Sequence, residues 1–123
     1  MTYATVDTNS KPFDQLFLDC VEEAIRSILG EQVLKSFLVS IENFDGLTRD
    51  EIPVRMNDFF LALERAFGQT SGKTVGRFII RVLYVRLGME FNSKMSAALQ
   101  NYVEDARRRL EVDRIPVRID ARP

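Results

Sequence analysis

Four glycines, Gly30, Gly46, Gly68 and Gly88, each close a stretch of apolar residues recurring at spacings of three and four. That punctuation constrains the fold more than any other feature: a glycine just past an amphipathic segment takes the left-handed conformation that ends a helix. In the first segment, about 14–29, Phe17, Cys20, Val21, Ala24, Ile25 and Ile28 form one stripe, opposite Asp19, Glu22, Glu23 and Arg26. The second, about 31–43, repeats the pattern with Leu34, Phe37, Leu38 and Ile41, and Gly30 leaves room only for a tight helical hairpin.

After a turn in which Thr48 and Glu51 have capping-box spacing and Pro53 limits extension, a third helix is expected over 56–67, capped by Asn57 or Asp58. The fourth, about 70–87, has apolar residues almost all round and is the expected centre of the bundle. A fifth, about 93–111, capped by Asn92 or Ser93, carries the stripe Met95, Ala98, Leu99, Tyr102, Val103, Ala106 and Leu110. Ile115-Pro116-Val117-Arg118-Ile119 alternates as a short strand would, with Pro116 at an unpaired position.

The expectation is an all-α, single-domain bundle: a flexible segment 1–12, a helical domain 13–111 (core 14–88, added helix 93–111) and an extended tail 112–123. At 123 residues and 46% apolar content, the chain is long enough for one hydrophobic core and short for two. No apolar run approaches the roughly 18 uncharged residues of a membrane span, and the start lacks the pattern of a signal peptide, so no membrane association and a cytoplasmic location are expected.

Histidine is absent and Cys20 is the lone cysteine. The commonest general base and the usual transition-metal ligand are therefore missing, and no intramolecular disulfide can form. Adjacent carboxylates such as Glu22-Glu23 and Glu104-Asp105 point in different directions on a helix, so no acid–base pair stands out. Neither a catalytic residue, a cofactor site nor a metal site is expected.

Gly68-Gln69-Thr70-Ser71-Gly72-Lys73-Thr74 looks like a phosphate-binding loop, but it has three residues between its glycines where that loop has four, and a helix stands before it where a strand is needed. It reads as an interhelical connection capped by Thr70 or Ser71. Gly72 and Gly76, four apart, suit close approach by a neighbouring helix of the same chain.

The formal charge of −1 divides unevenly. Residues 1–72 hold six basic and twelve acidic side chains, giving −6; residues 73–123 hold eleven and six, giving +5. Neutralisation within the fold is the favoured explanation, an acidic partner the other. The basic surface that a partner would meet comprises Lys73, Arg77 and Arg81, on one face of the fourth helix, and Arg107, Arg108 and Arg109, in the last turns of the fifth. A self-association stripe comprises Met95, Leu99, Tyr102, Val103, Ala106 and Leu110, which pack on their own core or join two chains as a homodimer.

Residues 14–88 resemble the Nitrosopumilus-type output domains, a small archaeal family found alone or attached to signalling modules. The resemblance rests on Asp19-Cys20-Val21-Glu22-Glu23, Ile28-Leu29-Gly30-Glu31, Phe37-Leu38, Glu42-Asn43-Phe44, Asp50-Glu51-Ile52-Pro53, Leu61 to Gly68 and Leu83-Tyr84-Val85-Arg86-Leu87-Gly88. It implies an α-helical module acting downstream of sensors, with no site residues to carry over; Met89 to Pro123 exceed the usual short form. The leading functional expectation is a protein-interaction or output module with a protein partner. The alternatives are a regulator binding nucleic acid through the basic second half, and a small-molecule sensor with a pocket among Phe37, Phe59, Phe60, Phe67 and Phe78.

Overall fold

The structure is a computed structural model that describes residues 2–90 and 98–120, with side-chain surroundings for 12–90 and 98–110. The described residues form five α-helices, α1 (Thr2–Leu29), α2 (Glu31–Asp45), α3 (Met56–Phe67), α4 (Gln69–Leu87) and α5 (Leu99–Asp120), with a single 3₁₀ turn at Arg49–Glu51 and no strand among them.

Two tight corners build the bundle. Gly30 alone separates α1 from α2, and Gly68 alone separates α3 from α4; both have positive φ with extended ψ (98°, 163° and 94°, 157°), whereas Gly46 and Gly88 take the left-handed helical conformation expected of a terminating glycine. The α3–α4 corner folds back closely. A Cβ at Gly72 would lie 2.6 Å from Glu64 Cα, so the glycine admits the backbone of α3 itself. Between the corners, the Thr48–Glu51 capping box forms, with Thr48 N–H donating to Glu51 Oε1 at 3.0 Å. That hydrogen bond holds the Glu51 carboxyl below its usual range.

The apolar stripes meet in one cluster. Phe59 sits at its centre, edge-on to Phe17 of α1 and Phe37 of α2 at 6.3 and 6.1 Å and to its neighbour Phe60 at 5.3 Å, while Phe37 stacks on Phe67 at 5.2 Å. Edge-to-face rings add about 0.5–1.5 kcal/mol per pair beyond their buried area. Four of the five phenylalanines expected to line a pocket thus pack into one another. Cys20 is wholly buried, and burial pushes its thiol up to about 11.

Several boundaries and caps differ from expectation. Residues 2–12, read as a flexible segment, belong to α1, which carries Pro12 inside it, and residues 112–120, read as an extended tail, continue α5 through Pro116. A five-residue apolar alternation fits a helix as well as a strand, and here the longer helical period prevails. Gly68 starts α4, which places Thr70 and Ser71 inside its first turn; Arg55, not Asn57 or Asp58, precedes α3. The Asn92 and Ser93 caps and Met95 lie outside the described residues. α4 packs against α1, α3 and α5, but only half of its circumference is covered: Ile79, Ile80 and Leu83 are buried, while Lys73, Thr74, Arg77, Arg81 and Val85 face outward. No helix among the described residues is long and apolar enough to cross a membrane.

Candidate interaction surface

The arginines between residues 12 and 110 fall into two groups. Arg26, Arg49, Arg55, Arg65, Arg86, Arg107, Arg108 and Arg109 each have a carboxylate partner in the chain. Arg77 and Arg81 are exposed and have none among the described residues. Three pairs cross the charge division: Arg86 with Glu23, Arg107 with Asp14, and Lys73 with Glu64 at 3.9 Å. Part of the excess charge of the two halves therefore meets within the fold, and Arg77 and Arg81 of α4 take no part in it.

The six basic candidates are engaged to different degrees. Arg107 is a clasp: its guanidinium donates to Asp14 at 3.0 Å and to the Pro53 carbonyl at 3.4 Å, and lies 4.6 Å from the Phe13 ring centroid. With only 18% of its side chain exposed, it binds α5 to α1 and to the turn before α3, and is withdrawn from any partner. Arg108 and Arg109 share Asp105 at 3.3 and 3.2 Å, and Arg109 also leans over the Tyr84 ring. Lys73 is half-engaged by Glu64 of α3.

The self-association stripe is used within its own chain. Tyr102, Val103 and Ala106 are buried, Leu99 and Leu110 are partly buried against the core, and the Leu99 side chain fills the space beside Gly76. Tyr84 OH anchors this contact by donating to the Tyr102 carbonyl at 2.9 Å, and it also lies 3.2 Å from the Asp105 carboxylate. Burial first, then Asp105, pushes the Tyr84 hydroxyl up to about 12, keeping it a neutral donor. Nothing in the sequence joined Tyr84 to α5.

What remains open is a strip along α4. At 100° per residue, Arg77 and Arg81 occupy one edge, Thr74 and Val85 the middle, and Phe78 and Val82 the other edge. Val85 is 72% exposed, and Phe78 and Val82 are partly buried against the core. The phosphate-loop look-alike lies at the start of the same helix as a regular turn, with Gly72 N–H donating to the Gly68 carbonyl at 2.7 Å. Exposed Val39 and Phe44 mark a second apolar area on α2, where Arg65, held by Asp45 and Ser40, stacks over Phe44. Among the described residues no three His, Cys, Asp or Glu side chains converge as metal ligands would.

No protein-family model matches the chain, and no curated protein or solved structure matches it.

Proposed function

We propose that the chain is a non-catalytic protein-interaction module, an output element of the archaeal signalling type that its sequence resembles, with α1–α4 as the shared unit and α5 as an addition stapled onto it. The observation that carries this reading is the unpaired Arg77–Arg81 ridge on α4, where the other arginines between residues 12 and 110 are all matched within the chain. Two uncompensated guanidinium groups one turn apart gain nothing for the fold and repel each other, but they suit a surface that meets opposite charge on a partner.

The test is affinity capture from an extract of the source organism, comparing the native chain with Arg77→Glu/Arg81→Glu. Proteins retained by the native chain and lost by the variant support the reading, and identical capture refutes this surface. A nucleic-acid reading draws support from the +5 of the second half, but the internal engagement of Arg107, Arg108 and Arg109 weakens it. Fluorescence anisotropy with a labelled oligonucleotide across a salt series discriminates, because phosphate-driven binding falls steeply as salt rises.

A further inference from the structure

Resting on that reading, we infer that the occupant of the α4 face is an amphipathic, acidic α-helix of another protein, laid along α4 with two carboxylates one turn apart on Arg77 and Arg81 and an apolar edge on Phe78, Val82 and Val85. Three observations lead there. Arg77 and Arg81 are exposed and lack carboxylates among the described residues, although every other arginine between residues 12 and 110 has one. Their positions four apart put them about 6 Å from each other along the helix axis, the rise between carboxylates at i and i+4 of a second helix. Alongside runs the strip of Phe78, Val82 and the 72%-exposed Val85.

The apolar edge decides between classes of partner. A phosphodiester backbone would match the spacing of Arg77 and Arg81 and could reach Lys73 one turn away, but it would leave the valines against a charged, hydrated surface with no exposed stacking ring in their place. A β-strand can also present carboxylates at a similar repeat. Its backbone N–H and C=O groups, however, would meet only side chains on a helix face and go unpaired, whereas a helix satisfies its own.

The experiment titrates the full chain with a fluorescent stapled peptide carrying two glutamates one turn apart beside a leucine stripe. Binding should weaken about tenfold or more in Arg77→Glu/Arg81→Glu, since like charges then face each other. A peptide with lysines for the glutamates should bind that variant in preference to the native chain. Val85→Asp should weaken binding of the acidic peptide without changing the fold's circular dichroism. Because all three side chains are exposed, the variants are expected to fold; Arg77→Gln/Arg81→Gln, with an intermediate loss, guards against a charge-reversal artefact. Equal binding of acidic and basic peptides, or an oligonucleotide binding through these arginines where the acidic peptide does not, overturns the inference. If charge reversal abolishes capture of cellular partners while the acidic peptide fails to bind, the module reading survives and the helical partner does not; if capture is unchanged, the surface itself is wrong.

Discussion

Gly30 and Gly68 hold almost the same backbone angles, in a region of φ,ψ space that is essentially closed to other residues, and a Cβ at either would meet open space. Gly72 is the opposite case, since it lies within helical backbone but a Cβ there would strike α3. Alanine at Gly30 or Gly68 should cost about 1–3 kcal/mol through backbone strain. Alanine at Gly72 should cost about as much or more through overpacking that pushes α3 and α4 apart. Urea denaturation measures both, and D-alanine by semisynthesis separates them: it should restore stability at Gly30, where positive φ is natural to it, and not at Gly72. Titration of Cys20 gives a second check. Its pKa is raised in the fold from about 9 to about 11, so the neutral thiol is favoured by folding; the associated stability is present below pH 9 and lost as pH rises through about 11. The native thiol should therefore resist a disulfide reagent at neutral pH and react at the unfolded rate in urea. Rapid native-state reaction at neutral pH would place Cys20 outside the core.

At the scale of elements, the sequence carried α2, α3 and α4 to within a residue or two, because their apolar periods end at glycines that also turn the chain. It failed at the outer ends of α1 and α5, where a flexible segment 1–12 and an extended tail 112–123 were expected, yet Pro12 and Pro116 each lie inside a helix. The apolar stripe of α5 was readable, but its docking was not. Arg107 looks in sequence like one of three solvent-facing arginines, and only the fold brings it to Asp14, 93 positions away. Arg107→Ala should loosen α5 by about 1.5–3 kcal/mol, the range for hydrogen bonds to charged groups, since it unpairs a half-buried carboxylate and uncovers Phe13. Hydrogen exchange should quicken at the amides of Tyr102 and Val103 and stay slow in α3. Arg107→Lys should recover only part of the loss, because an ammonium cannot reach Asp14 and stack on Phe13 in the same planar geometry. Unchanged exchange in the alanine variant would make the clasp incidental.

Across the whole molecule, the division into an acidic first part and a basic second part is bridged by three ion pairs among the described residues, in which Arg77 and Arg81 take no part. The proposed partner surface was half readable: composition showed an excess of positive charge in the second half, and only the ion-pair geometry showed which of the described cations are engaged. The same geometry fixes the expected result of removing α5. Val103 and Ala106 are wholly buried, Leu99 rests on Gly76 and Phe60 lies beside it, and the Tyr84 hydroxyl has its acceptors on α5. A chain ending at Gly88 would expose Phe60, Tyr84 and Phe13 together, leaving a contiguous apolar patch of the kind that drives association. Light scattering should find the full chain without self-association through the Leu99–Leu110 stripe, which is already covered, and the shortened chain associated and less stable to urea. A shortened chain as monodisperse and as stable as the full one would mean that α5 does not cover this surface in solution.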